Sequence, residues 1–234
     1  MPQENPIHSP PIPKIDVGRG LILSLALTTT FALIAWCAQT DVGSTIDRHL
    51  LLMLQSVGDT TSPRGPEWLH EAGRDLTALG SISVLLVSTI LVTGWLAVTG
   101  QWKTALAMLV VIIGGVSASF MLKWGFDQPR PDLLGEATRV FTSSFPSSHA
   151  MASLVTFVTL AFALGRQTPS ARASRYLLGC ALLLSLVSGL SRVYLGVHWP
   201  SDVLAGWIAG TVWLLLASVV AATWMKQAQE GGRP

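Results

Sequence analysis

The chain has 234 residues, of which 50% are apolar, and a mean hydropathy of +0.52. Charged residues make up only 12% of it, against about 25% in a typical soluble domain, so the composition excludes an ordinary soluble protein. A formal net charge of +2 gives no reason to expect nucleic acid as a partner. The two cysteines, Cys37 and Cys180, fall within apolar runs, which argues against a disulfide framework. The composition is that of an integral membrane protein.

Six apolar stretches approach the length of about 20 residues that an α-helix needs to cross a bilayer. They cover residues 20–39, 79–99, 104–124, 149–165, 176–195 and 201–224. We therefore expect an all-α integral membrane protein with six transmembrane helices. The first stretch is longer than the apolar region of about 7–15 residues in a signal peptide, and no A-x-A site follows it. We treat it as an uncleaved span.

Two segments between the first and second stretches mix apolar and charged residues and are too short in apolar length to span a membrane. They are TIDRHLLLMLQSV at 45–57 and PEWLHEAGRDLTAL at 66–79. This pattern predicts interfacial amphipathic helices. The layout divides the chain into an N-terminal tail, a six-helix domain and a C-terminal tail, at residues 1–19, 20–224 and 225–234.

The basic residues of the loops predict the orientation of the chain. With the N-terminus inside, the internal segments carry eight basic and three acidic residues, and the external segments carry seven basic and ten acidic residues. Positive charge concentrates on the cytoplasmic side of membrane proteins, so both termini are expected in the cytoplasm.

Three polar segments are expected on the external side: KWGFDQPRP after the third span, PSSH before the fourth, and SRVYLGVHWPSD between the fifth and sixth. Each alone is explained by a snorkelling lysine or by helix capping. Together they place two histidines, three cations and an aspartate on one face, more than capping requires. Ionisable residues at this depth indicate a functional site. The candidate residues are Lys123, Arg130, Ser147, Ser148, His149, Arg192, His198 and Asp202.

The cations and the start of the fourth helix suit the binding of a phosphate group. Lys123, Arg130 and Arg192 can surround a multiply charged anion, and arginine offers paired donors that match phosphate oxygens. The amino end of the fourth helix, near Ser147 and Ser148, adds free N–H groups and the positive end of the helix dipole. The sequence therefore predicts an anion site.

Two histidines and one carboxylate can supply the reactive groups. His198 and Asp202 are four residues apart, so a helix that begins near Pro200 lets the carboxylate reach one imidazole nitrogen. The carboxylate would fix the tautomer, favour the charged form of the histidine and leave the other nitrogen as a nucleophile. His149 is then free to donate a proton to a leaving oxygen and later to take one from water.

The three segments resemble the signature of the type 2 phosphatidic acid phosphatase superfamily, which reads KxxxxxxRP, PSGH and SRxxxxxHxxxD. The matching positions are Lys123, Arg130 and Pro131, then Pro146, Ser147 and His149, and then Ser191, Arg192, His198 and Asp202. The resemblance covers about residues 20–224, including the six-helix layout.

The resemblance implies a phosphohistidine mechanism. His198 would attack phosphorus, Asp202 would orient it, His149 would protonate the departing oxygen, and water would then hydrolyse the intermediate. The phosphoryl oxygens would be held by Lys123, Arg130, Ser147, Arg192 and the backbone N–H of Ser148.

The resemblance also implies that no metal takes part, and we expect no cofactor. The external acids Asp127, Asp132 and Glu136 can suggest a metal site, but their spacing matches no strong metal-binding pattern.

One position departs from the signature, because Ser148 stands where the family usually has glycine. The N–H that would face the phosphate remains. The added side chain can crowd the site, add a hydrogen bond or require a different φ, since glycine tolerates backbone angles that serine avoids. We expect activity to be retained.

A phosphate site at the outer membrane boundary suits a phosphate that an apolar tail holds at headgroup height. The resemblance implies a bacterial inner-membrane lipid phosphatase or diphosphatase acting at the external face on undecaprenyl diphosphate, phosphatidylglycerophosphate or phosphatidic acid. A lipid A 1-phosphatase, a lipid phosphotransferase and a non-catalytic lipid binder or transporter remain as alternatives. The expected partners are lipids, and the sequence does not determine the oligomeric state.

Overall fold

The computed structural model describes residues 16–56, 59–131 and 143–230. Within these ranges the chain forms eight α-helices: α1 (Val17–Ala38), α2 (Asp41–Leu52), α3 (Glu67–Thr77), α4 (Ile82–Val98), α5 (Trp102–Lys123), α6 (Ser148–Gly165), α7 (Ala171–Tyr194) and α8 (Pro200–Glu230). A short antiparallel ribbon pairs β1 (Gln55–Ser56) with β2 (Asp59–Pro63). A 3-10 turn, Ala78–Gly80, joins α3 to α4.

The helices form a membrane-spanning bundle, as the sequence predicts. Five described helices are long and apolar enough to cross a bilayer, namely α1, α5, α6, α7 and the part of α8 that ends at Trp224. A sixth span results if α3 and its 3-10 turn are counted together with α4, to which they are bent by 52°. Segment 66–79, predicted to lie in the interface, thus forms the first arm of this bent pair. The helix predicted within 45–57 ends at Leu52, because the chain then enters the ribbon.

The central helix is α6, most of whose side chains are buried. Gly206 and Gly210 of α8 face it, as their spacing suggests. A Cβ on Gly206 would lie 2.5 Å from the carbonyl oxygen of Ser147, and one on Gly210 would lie 3.2 Å from Cδ2 of Leu154. Small residues allow this close approach between helices. The second and third turns of α8 are therefore held against the first two turns of α6.

The start of α8 follows from its sequence. Proline suits the first position of a helix, because an N–H group there would have no intrahelical partner, and α8 begins at Pro200. Asp202 lies in the first turn, where the helix dipole favours a carboxylate. Its side chain accepts the backbone N–H of Trp199 at 2.9 Å. This arrangement places His198 immediately before the helix and one turn away from Asp202.

Candidate active site

The three polar segments meet at one end of the bundle, around a cavity of about 820 Å³. Six of the eight candidate residues line it: Lys123, Arg130, Ser148, His149, Arg192 and His198. Asp202 is fully buried behind His198, and Ser147 is fully buried at the start of α6. Tertiary structure thus brings together residues from α5, α6, α7, α8 and two loops.

His198 and Asp202 form a buried pair. Nδ1 of His198 lies 3.0 Å from Oδ2 of Asp202, and only 2% of His198 is exposed. Because the carboxylate occupies Nδ1, the other ring nitrogen, Nε2, is the one directed to the cavity, 3.3 Å from Nη1 of Arg130. A proton on Nδ1 leaves the lone pair on Nε2, which is the arrangement that a nucleophilic imidazole needs.

The surroundings of His198 favour its neutral form. Burial lowers the pKa of His198 well below its ordinary value, and three neighbouring cations lower it further: Arg192, Arg130 and Lys123. The predicted effect of Asp202, which favours the charged imidazole, is therefore opposed by desolvation and by the cations. The neutral form, which carries a free lone pair, prevails at neutral pH.

Ser144 is a site residue that the sequence pattern did not single out. It is fully buried, and its hydroxyl donates to Oδ2 of Asp202 and lies 3.3 Å from Nδ1 of His198. With the N–H of Trp199, this gives one carboxylate oxygen three hydrogen-bond neighbours. A serine within a serine-rich loop carries no spacing signal, so only the tertiary contact identifies it.

Two cations form hydrogen bonds to the backbone of the loops that precede α6 and α8. Nζ of Lys123 donates to the carbonyl oxygens of Ser143 and Ser144, at 2.7 and 3.4 Å. Nη1 of Arg130 donates to the carbonyl oxygen of Val197 at 3.0 Å, next to His198. Burial lowers the pKa of Arg130. The site is therefore held in position by polar contacts within the protein itself.

The first turn of α6 presents Ser148, and not Ser147, to the cavity. The hydroxyl of Ser147 accepts the N–H of Ala150 at 3.5 Å, and its own N–H donates to the carbonyl oxygen of Asp202 at 2.9 Å. Ser148 lines the cavity, and its buried hydroxyl has no partner among the described residues. The first N–H groups of a helix lack intrahelical partners and favour an anion.

The backbone at Ser148 is ordinary. Ser148 is the first residue of α6, and positive φ among the described residues occurs only at Gly65, Gly100 and Gly196. Ser148 therefore needs no backbone angle that only glycine adopts. Among the consequences predicted for Ser148, its unpartnered hydroxyl favours an additional hydrogen bond to a ligand.

Arg192 and His149 are the remaining candidate residues that line the cavity. Nη1 of Arg192 donates to the hydroxyl of Thr77 at 3.3 Å, while its buried Nε has no partner among the described residues. His149 packs beside the 3-10 turn, where a Cβ on Gly80 would lie 3.1 Å from its Cδ2. The turn before α4 therefore contributes contacts to the site that the three sequence segments did not indicate.

Metal-ligating side chains do not cluster in the parts of the chain that the structure describes. No group of three or more His, Cys, Asp or Glu residues is placed there to hold a metal ion. Of the acids considered from the sequence, Asp127 is exposed, and Asp132 and Glu136 lie outside the described residues.

Beyond its polar end, the cavity continues between α4, α5 and α6 with largely aliphatic walls. Ile82, Leu86 and Ile90 line it on α4, and on α5 the lining extends from Lys123 to Leu109. These two positions are about 21 Å apart along a helix, more than half of the ~30 Å hydrocarbon core of a bilayer. The cavity thus joins the cluster of histidines and cations to a long apolar groove.

Comparisons with known proteins give consistent matches. The sequence model of the PAP2 superfamily matches residues 104–226. Phosphatidylglycerophosphatase B of Bacillus subtilis is 28% identical over 151 residues, which cover 64% of this chain and 73% of that protein. An undecaprenyl-diphosphatase of Sulfolobus acidocaldarius is 30% identical over 113 residues, which cover 48% of this chain and 50% of that protein.

A solved structure has the same fold. It is the crystal structure of a transmembrane PAP2 type phosphatidylglycerolphosphate phosphatase from Bacillus subtilis, with a TM-score of 0.70 and 24% sequence identity. The alignment covers 90% of this chain and 98% of that one. The structural similarity therefore extends beyond residues 104–226 and includes helices that precede residue 104.

Proposed function

The chain belongs to the PAP2 superfamily, and on this premise we propose that it is a membrane lipid phosphatase that works through a phosphohistidine at His198. The matched region, 104–226, contains every residue of the candidate site. Its relatives are named as phosphatases, and hydrolysis of a phosphate ester or anhydride is accordingly its reaction. No metal ion takes part in the mechanism that we propose.

The cavity is the observation that carries the proposal. One end is lined by two histidines and three cations, which suits a phosphate, and the rest is lined mainly by aliphatic side chains, which suit a hydrocarbon tail. A water-soluble phosphate would use only the polar end. A lipid phosphate occupies both parts, so burial of its tail positions its phosphorus beside His198.

The first chemical step forms a covalent intermediate. Nε2 of His198 attacks phosphorus, and the bond breaks between phosphorus and the lipid oxygen of a monoester, or between the terminal phosphorus and the bridging oxygen of a diphosphate. His149 gives a proton to the departing oxygen, which leaves on the lipid alcohol or on the lipid monophosphate. Asp202 holds the proton on Nδ1 and stabilises the positive charge that the imidazole ring gains.

The second step returns the enzyme to its starting state. Water attacks phosphorus, His149 takes its proton, and the bond between phosphorus and Nε2 breaks to release inorganic phosphate. Throughout, the phosphoryl oxygens are held by Lys123, Arg130, Arg192 and the first-turn N–H groups of α6, together with the hydroxyl of Ser148. Ser147 acts by capping α6, because its hydroxyl faces Ala150.

The substrate class that we assign is a lipid phosphate or diphosphate, with phosphatidylglycerophosphate and undecaprenyl diphosphate as the first candidates. Relatives named for both compounds support this choice. We place the protein in the bacterial inner membrane, with the tails 1–19 and 225–234 in the cytoplasm and the site at the external face. The excess of basic residues in the internal segments supports this orientation.

Phosphate release from a panel of purified lipid phosphates tests the function. The panel contains phosphatidylglycerophosphate, undecaprenyl diphosphate, phosphatidic acid and lipid A 1-phosphate, at a matched detergent ratio and with chelator present. We expect release of inorganic phosphate from at least one of them without an added acceptor. Transfer to a second lipid in place of release would identify a phosphotransferase, and binding without either reaction would identify a non-catalytic lipid binder.

Replacement of Ser148 tests the departure from the family pattern. We expect wild type to be active and both Ser148→Ala and Ser148→Gly to lose about tenfold in kcat/KM, the magnitude of one hydrogen bond to a charged group. Equal losses in the two variants would assign the effect to the hydroxyl, because only the glycine variant also removes Cβ. An inactive wild type beside an active glycine variant would show instead that the serine blocks the site.

A further inference from the structure

Asp47 lies outside the matched residues 104–226, and its carboxylate contacts the first turn of α8 next to Asp202. Asp47 belongs to α2, and only 4% of it is exposed. Its Oδ1 accepts the backbone N–H of Ser201 at 3.0 Å, and its Oδ2 accepts the hydroxyl of the same serine at 2.5 Å. Ser201 lies in the first turn of α8, directly before Asp202.

Burial of this carboxylate is unfavourable unless hydrogen bonds compensate it. Burial raises the pKa of Asp47, while the two hydrogen bonds from Ser201 act in the opposite direction. The N–H that Asp47 accepts is one of the first-turn groups of α8, which have no partner within the helix. Asp47 thus caps α8 with a side chain that another helix supplies, 154 residues away in sequence.

The helix that carries Asp47 has a fixed position. A Cβ on Gly43 would overlap the carbonyl oxygen of Cys37 at the end of α1, so α2 approaches α1 as closely as a glycine permits. One further turn beyond Asp47, fully buried Leu51 packs in a cluster with residues of α6, α7 and α8: Ala150, Val193 and Val203. The buried face of α2 therefore supports the three helices from which His149, Arg192 and Asp202 project.

We propose that Asp47 is a positioning residue for the catalytic pair. By holding Ser201 it fixes the first turn of α8, and with it the carboxylate of Asp202 that lies 3.0 Å from Nδ1 of His198. A displacement of about 1 Å at a reacting group can cost 10²-fold in rate. The inference rests on the proposed function, and it adds a residue of α2 to the machinery of the reaction.

Steady-state kinetics of Asp47→Ala, with the best lipid phosphate of the panel as substrate, test the proposal. We expect kcat to fall about 10- to 100-fold, as is typical when a partner that orients a ligand is removed, with KM nearly unchanged, because Asp47 does not line the cavity. Asp47→Asn keeps an oxygen acceptor for the N–H of Ser201 and should recover most of kcat. Ser201→Ala, which removes only the hydroxyl bond, should give an intermediate loss.

Asp41→Ala is the matched control, because it makes the same change at an exposed position of the same helix. Thermal stability in detergent is measured for every variant. Wild-type kcat in Asp47→Ala would overturn the inference, and so would a change in KM alone. A loss of activity that matches the unfolded fraction of Asp47→Ala, with no recovery of kcat in Asp47→Asn, would overturn it as well. If Asp47→Ala does not fold, wild-type kcat in Ser201→Ala overturns it. An inactive wild type would instead overturn the proposed function itself.

Discussion

Replacement of His198 by alanine is expected to abolish phosphate release. The loss should be on the order of 10⁵–10⁶ in kcat, the size of the effect when other enzymes lose a nucleophile or its partner histidine. The physical reason is that Nδ1 of His198 faces Asp202, so Nε2 is the ring nitrogen left to form the bond to phosphorus, and Asp202 does not line the cavity. Release of inorganic phosphate from a lipid substrate measures the loss.

A second measurement separates a covalent role for His198 from a binding role. Wild type incubated briefly with a substrate labelled in its terminal phosphate should carry a protein-bound label that acid removes and base does not, and His198→Ala should carry none. His49→Ala, a change at an exposed histidine of α2, is the matched control and should retain both label and turnover. Turnover near the wild-type rate in His198→Ala would exclude the phosphohistidine mechanism. Binding of lipid by an inactive but folded variant would be consistent with it.

Replacement of Asp202 by asparagine is expected to lower kcat by about 10³–10⁴-fold. In a serine protease triad, the same change costs about 10⁴-fold because the histidine adopts the wrong tautomer. Here Oδ2 of Asp202 receives the N–H of Trp199, the hydroxyl of Ser144 and Nδ1–H of His198. Asparagine can keep its amide oxygen at the position of Oδ2, because Oδ1 of Asp202 has no partner among the described residues and the amide nitrogen can take its place. It lacks the negative charge that stabilises the positively charged imidazole ring, and this loss slows the first step.

The kinetic signature of Asp202→Asn is a fall in kcat with little change in KM, because Asp202 is fully buried and does not line the cavity. Asp75→Asn, at an exposed position of α3, provides the control for the same chemical change. A variant in which KM rises while kcat is unchanged would place Asp202 in substrate binding. Substantial unfolding of the variant in detergent is checked by its thermal transition, since a buried amide can also disturb packing.

The apolar runs of the sequence are sufficient to predict the membrane class and most of the helices. Hydrocarbon thickness sets the length of a span, so a run of about 20 apolar residues predicts one without knowledge of its neighbours. The bent pair formed by α3 and α4 is an exception. Its first arm, α3, is amphipathic, and its direction depends on packing against α7, where a Cβ on Gly73 would lie 3.0 Å from the ring of Tyr194.

The sequence is also sufficient to predict most of the side chains that form the site. The spacing between Lys123 and Arg130, and between Arg192, His198 and Asp202, can be read directly along the chain. A four-residue separation at a helix start predicts contact between His198 and Asp202 from local geometry alone. The protonation of His198 does not follow from spacing. It depends on desolvation and on cations contributed by three other parts of the chain.

The sequence by itself determined a helical membrane protein that carries cations, histidines and one aspartate at the ends of its spans, because these features rest on composition, span length and short spacings. Only the tertiary structure decided that Ser144 and Asp47 support that cluster and that an apolar cavity extends from it. Ser144 is 58 residues from Asp202, and Asp47 is 154 residues from Ser201. Contacts at such separations arise from the packing of whole helices, and no periodicity or motif along the chain records them.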